Sequence, residues 1–320
     1  MNDRLVDDPD FLDDYAALRH GLAAYRRPRD VVSVTGPDAA GYLQGQCSQD
    51  LSGLAVGGMV DALVLEPDGK LTALVRVGRV GDDAFVVDTD AGAGELVAAR
   101  LGRFKLRSKV DIAPLPWAVV ALRGPGVPVD LPAPDGGLMA SFEWGGVTGV
   151  DLLGPDPVAP PDTAREVGDA AWEAARVEAG VPAMGRELDG RTIAAEAGLV
   201  DRTVSFTKGC YTGQELVARI DSRGSRVPRR LCGLVVADGE APGTGAERLV
   251  GATLVVPGSD KPVGTVTSAT WCPGVGAVGA LAYLHRSVDL PGQVVVQTAG
   301  GLATPAAGGL TAEARPLPLV

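Results

Sequence analysis

A change of rhythm near Arg230 constrains the fold of this 320-residue chain more than any other feature. Before it, β-branched runs alternate with stretches whose apolar residues recur every three or four positions. The first pattern fits half-buried strands and the second fits amphipathic helices. After it, only short strand-like runs remain, at residues 231–236, 252–256, 264–267 and 292–297. Short strands divided by frequent turns predict a small all-β unit, with a barrel favoured. The length exceeds that of a usual single domain. The expected organisation is an α+β region over 10–228, a C-terminal β-barrel over 229–300 and a disordered tail over 301–320, which has too little patterning to pack.

Within the first region, Tyr15, Leu18, Leu22 and Tyr25 predict a helix over 14–27. A strand at 31–34 leads through Gly36-Pro37-Asp38 into a helix carrying Tyr42 and Leu43. Strands at 59–66 and 71–77 flank Pro67-Asp68-Gly69-Lys70, whose residues fit successive positions of a hairpin turn. Further strands are expected at 85–87, 110–112, 117–122 and 147–152, with helices at 94–101, 163–178 and 213–220. In the longest of these, Val167, Ala171, Ala174 and Ala175 form one stripe.

The formal charge is −11, which disfavours binding of nucleic acid or anionic membrane by the whole surface. Two local runs are basic instead. Residues 202–230 hold seven basic residues and two acids, and Arg100, Arg103, Lys105, Arg107 and Lys109 follow one another with no acid between them. If both runs face one cleft, that cleft attracts carboxylates or phosphates, which the guanidinium fork suits. The acidic start lacks the apolar core of a signal peptide, and no apolar run is long enough to span a membrane, so the expected location is the cytoplasm.

Four cysteines and two histidines offer no zinc-ligand spacing. Cys232 and Cys272 read as small core residues. Cys210 stands apart, within Lys208-Gly209-Cys210-Tyr211-Thr212-Gly213-Gln214-Glu215. Three readings stay open for it: a buried thiol, a thiolate stabilised by Lys208 for redox or transfer chemistry, or a residue holding a tight loop against a ligand. The amides and thiol of Gln44–Asp50, including Gln46, form a second polar constellation, and Glu196 sits in a nearly apolar setting. A carboxylate there either faces solvent or pairs with a ligand donor.

The octet at 208–215, continued by LVARI, resembles the signature of YgfZ-type folate-binding proteins, relatives of the glycine-cleavage T-protein, an aminomethyltransferase. YLQGQCSQD at 42–50, LEPDGK at 65–70, RFKLRSKV at 103–110, VEAGVP with GREL at 177–188, KPVGTVTS at 261–268 and GALAYLHR at 279–286 match as well. Ser48-Gln49-Asp50 and Ala194 depart from the family's frequent residues. The resemblance implies a T-protein-like α+β folate-binding region followed by a barrel. It implies a tetrahydrofolate ligand, with or without a polyglutamate tail, and no stable metal or cluster in the isolated chain. The implied role is an accessory one, assembling or repairing iron–sulfur clusters in client enzymes, with effects on tRNA modification through such clients. The alternative is a tetrahydrofolate-dependent one-carbon transferase, so enzyme status stays open. Expected partners are folate and iron–sulfur client or assembly proteins, with no membrane and no direct nucleic-acid contact. Cys210 and Lys208 are the expected reactive pair. Glu196, Tyr211, Gln214, Arg226, Gln46 and Arg103 are the expected folate contacts.

Overall fold

The computed structural model describes residues 9–156, 158–224, 226–237, 245–298 and 309–320. The chain is a mixed α+β structure in which two five-stranded sheets are followed by a closed barrel. One sheet has the order β3-β4-β5-β2-β6: Met59–Leu65, Leu71–Gly81, Ala84–Asp90, Arg29–Thr35 and Asp111–Leu115. The other has the order β10-β1-β7-β9-β8: Arg165–Glu166, Ala23–Arg26, Trp117–Arg123, Val147–Pro155 and Leu138–Trp144. Because β1 precedes the first sheet in the chain but belongs to the second, the two sheets are intertwined.

Alternation along the strands decides what each face meets. In the first sheet, Val32, Val34, Ala73, Val75, Val77, Phe85 and Val87 point to helices α2 (Ala39–Gln46) and α3 (Gly94–Arg103) and bury a core with Tyr42, Leu43, Val97 and Leu101. Each Val or Leu fully buried there contributes roughly 1.5–3 kcal/mol. The intervening residues face the second sheet, where Val31 and Val86 meet Val119, Leu138, Ala140 and Leu153. At Gly78 the sheets approach so closely that a Cβ would lie 2.4 Å from Leu138 Cδ1.

The expected helix over 14–27 divides: α1 (Pro9–His20) ends before Gly21, and Ala23–Arg26 become β1, paired with β7 and β10. Likewise the helix expected at 163–178 begins only at Asp169 as α4 (Asp169–Ala179), because Arg165–Glu166 bridge to β1 and Gly168 N donates to Asp14 Oδ2 at 2.9 Å. The stripe holds nonetheless, since Val167, Ala171, Ala174 and Ala175 are buried together against α1.

The barrel runs β11-β14-β13-β12-β15-β16: Arg229–Val236, Ala277–His285, Pro262–Cys272, Thr253–Val255, Gly292–Gln297 and Leu310–Arg315. This corrects the expected tail. Residues 301–308 lie outside the described residues, but β16 pairs with both β11 and β15 and closes the barrel. Its small alternate residues Ala312 and Ala314 are wholly buried, and Leu319 beyond it packs on Val177, Cys272 and Leu281. Small side chains fit a barrel interior, which is why the segment lacks the bulky alternation that marks a strand. No described helix is long and apolar enough to cross a membrane.

Candidate functional site

Charged residues placed on the facing sides of the two sheets must find partners there, because neither can reach water. Arg76 on β4 stands directly opposite Asp88 on β5, and its Nε donates to Asp88 Oδ2 at 2.6 Å. Its Nη1 crosses to the other sheet and donates to Asp151 Oδ2 on β9, also at 2.6 Å. Arg123 on β7 meets Asp151 Oδ1 at 2.7 Å, and Arg27, between β1 and β2, reaches Asp151 at 2.8 Å and Asp90 at 3.6 Å. Arg29 holds Asp88 at 2.7 Å and also Asp90. Burial alone would raise the pKa of all three carboxyls. The surrounding guanidinium groups outweigh it and hold Asp88, Asp90 and Asp151 below the usual carboxylate range.

This ionic floor opens on a cavity of about 310 Å³. Tyr25, Arg27, Asp90, Arg123, Phe142 and Trp172 line one part of it. Glu173, Arg176, the 181–184 segment and Arg186 line another part. Aromatic residues are only 4% of the chain, yet three converge here. Tyr25 stacks on Trp172 with ring centres 4.4 Å apart, and the Arg123 guanidinium lies 3.8 Å from the Phe142 ring centre and 5.3 Å from that of Trp172. The C-cap glycine of α4, Gly180, adopts a left-handed conformation and turns the chain into the 181–184 wall. That wall is tied to the floor by Met184 N, which donates to Asp90 Oδ2 at 3.0 Å.

Both carboxylates at the cavity are engaged. Asp90 faces Arg29, Arg27 and the Met184 amide, and Glu173 receives Arg176 and Arg186. Neither cysteine nor histidine lines it. Such a site is suited to holding a flat, partly anionic molecule against aromatic faces. Asp90 is poorly suited to taking up a proton there, since its neighbouring guanidinium groups hold it ionised.

The octet lies elsewhere. Thr212 N donates to Gly45 O at 3.1 Å, seating the loop on the end of α2. Lys208 Nζ donates to three carbonyls there, Gln44 O, Cys47 O and Gln49 O, at 2.6, 2.7 and 2.8 Å. Its half-burial lowers its pKa. The expected pairing of Lys208 with the Cys210 thiol is therefore corrected: the ammonium is spent on closing the 44–49 loop. Cys210 itself is exposed, which removes the buried-thiol reading, while Cys47, Cys232 and Cys272 are buried. Burial pushes the thiols of Cys47 and Cys232 up to about 12.

The structure gathers Gln46, Arg103, Tyr211 and Gln214 around the same junction but not at the cavity. Gln46 accepts from Arg100 at 3.0 Å, and Arg103 holds Glu66. Tyr211 is buried with Ala194, Ala197 and Val217, and Gln214 Oε1 accepts from Tyr211 N at 3.2 Å, closing its own turn. Glu196 is 4% exposed and pairs with Arg229 at the first barrel strand at 2.9 Å. Arg226 is exposed and does not line the cavity. No basic residue of either run lines the cavity. Arg100 donates to Leu65 O, Arg202 pairs with Asp61 and Arg230 donates to Val288 O. The cavity's cations, Arg27, Arg123, Arg176 and Arg186, come from outside both runs. One signal could have pointed to them: Asp88 and Asp151 sit among strand residues where an unpaired charge is costly.

The family model of the glycine cleavage T-protein C-terminal barrel domain matches residues 229–307. The chain is 30% identical over 219 residues to the tRNA-modifying protein YgfZ of Klebsiella pneumoniae, covering 61% of this chain and 66% of that one, just under two thirds of its length. It is 27% identical over 336 residues to the mitochondrial iron-sulfur cluster assembly factor IBA57 homolog of Chaetomium globosum, covering 83% and 72%. Among solved structures, the glycine cleavage system aminomethyltransferase T of Bartonella henselae superposes with a TM-score of 0.79 at 18% identity, over 97% of this chain and 89% of that one. That likeness establishes the fold.

Proposed function

From the premise that this chain belongs to the family of YgfZ-like and T-protein-like proteins, we propose that it binds tetrahydrofolate in the cavity between the sheets and serves iron–sulfur enzymes as an accessory factor. The observation that carries this reading is the donor set of the cavity. A reduced pterin is flat and has N–H donors, its linker is aromatic, and its glutamate tail is anionic. Trp172, Phe142 and Tyr25 offer faces for the rings. Asp90, held ionised by Arg29 and Arg27, keeps acceptor capacity for a pterin N–H. Arg186 at the rim is the cation for the tail. Bound there, the folate would supply or accept a one-carbon unit, or act as a sensed ligand.

Accessory action is favoured over one-carbon transfer because Asp90 is held ionised by Arg29 and Arg27, Glu173 is occupied by Arg176 and Arg186, and the exposed thiol of Cys210 lies outside the cavity. One thiol cannot hold a cluster alone. Cys210 therefore acts toward a cluster or adduct shared with a client. Calorimetry with tetrahydrofolate tests the binding half. Trp172→Ala should weaken affinity about tenfold or more, while Cys210→Ala should leave it unchanged. A deletion strain complemented with Cys210→Ala should then fail to restore iron–sulfur enzyme activities. Release of methylenetetrahydrofolate from aminomethyl adducts at enzymatic rates would instead support the transferase.

A further inference from the structure

We propose that Ser268, a residue of the barrel, is a positioning residue for the ligand's carboxylate tail and acts through Arg176 on the rim cation Arg186. The inference rests on the folate reading of the cavity and adds which part of the molecule selects the tail. A guanidinium has five N–H groups. Arg176 Nε and Nη2 each donate to one oxygen of Glu173 at 2.8 Å. Nη1 donates to Val181 O at 2.6 Å and to Glu187 Oε2 at 3.0 Å, and Nη2 also donates to Ser268 Oγ at 2.6 Å. All five are used, so Arg176 has none left for a ligand although it lines the cavity. The exposed cation at the rim is Arg186, whose Nη1 donates to Glu173 Oε1. Glu173 thus sets Arg186, Arg176 sets Glu173, and Glu187 with Ser268 sets Arg176.

Ser268 reaches this network because of a β-bulge. Along β13 and β14 the register runs Val266↔Ala282 and then Ser268↔Leu281, leaving Thr267 as an extra residue. A bulge bends its strand and re-aims the side chains beside it. Ser268 is 1% exposed, and its hydroxyl donates to Glu187 Oε1 at 2.6 Å while accepting from Arg176. Glu187 also accepts from Ala183 N in the cavity wall at 3.0 Å, and its carbonyl accepts from Tyr283 of β14, again at 3.0 Å. Removing the hydroxyl leaves a buried carboxylate oxygen and a guanidinium N–H unmatched, which frees Arg176 to shift.

The test compares dissociation constants of three ligands on the full chain: tetrahydropteroyltriglutamate, tetrahydrofolate and a tetrahydropterin lacking the tail. Ser268→Ala should weaken the two glutamate-bearing ligands about tenfold and leave the tailless pterin unchanged. Ser268→Thr, which keeps the hydroxyl, should retain wild-type preference. Arg186→Ala, which removes the exposed rim cation and keeps Arg176, Glu187 and Ser268, should abolish the same preference, and the double variant should be no worse than Arg186→Ala. Equal losses for all three ligands, or none, in Ser268→Ala would overturn the inference, as would a preserved tail preference in Arg186→Ala. A wild-type chain that binds none of the three would overturn the folate reading and this inference with it.

Discussion

Lys208 illustrates how a neighbour in sequence misleads about a neighbour in space. Two positions from Cys210, it reads as the partner of a thiolate, yet its ammonium caps three carbonyls at the end of α2. A lysine has three donors, and three are used. Lys208→Met should destabilise the chain by roughly 2–4 kcal/mol through loss of charge-assisted hydrogen bonds. Alkylation of Cys210 by iodoacetamide should proceed at the wild-type rate, and a marked slowing would restore the pairing expected from sequence. Glu196 misled differently. Its apolar setting left a solvent face or a ligand donor open, and the buried carboxylate is paired with Arg229 of the chain itself. Sequence spacing reports which residues need a partner, whereas the fold decides which partner they get.

Hairpins and amphipathic helices were legible because their signals are local. The turn at Pro67–Lys70 joins β3 to β4, and Gly213, with φ 85°, caps the helix Gln214–Asp221 where a Cβ would lie 2.5 Å from Glu66 O. Elements held by distant partners were not legible. β1 took a helical period because Tyr25 serves Trp172, 147 positions later in the chain. β16 carries no strand signal in the sequence because its inward residues are alanines. The barrel makes a firm test of that strand. Deleting residues 309–320 removes the partner of both β11 and β15 and leaves two open edges. The truncated chain should bind a hydrophobic dye and melt at a markedly lower temperature. Unchanged melting would mean that the closing strand contributes nothing.

On the scale of the molecule, the cavity exists because two intertwined sheets are bolted together by buried ions. The pairs join residues up to 124 positions apart, and no periodicity announces them. Removing Asp151 leaves Arg123 and Arg76 short of a partner, so Asp151→Asn should cost about 3–5 kcal/mol at neutral pH. The network also sets the acid response. Asp88, Asp90 and Asp151 titrate below their unfolded values of about 4, so the unfolded chain binds more protons as the pH falls. Their stabilisation is full at neutral pH and is lost from about pH 5 downward, toward the depressed folded values. Denaturant midpoints measured between pH 7 and 3 should fall steeply for the wild type and less steeply for Asp151→Asn. The central claim is that folate sits on this ionic floor and not at the octet. A crystal structure of the chain grown with tetrahydrofolate tests it most directly: pterin density against Trp172 and Asp90 is the expected result, and density beside Cys210 with the cavity empty would contradict it.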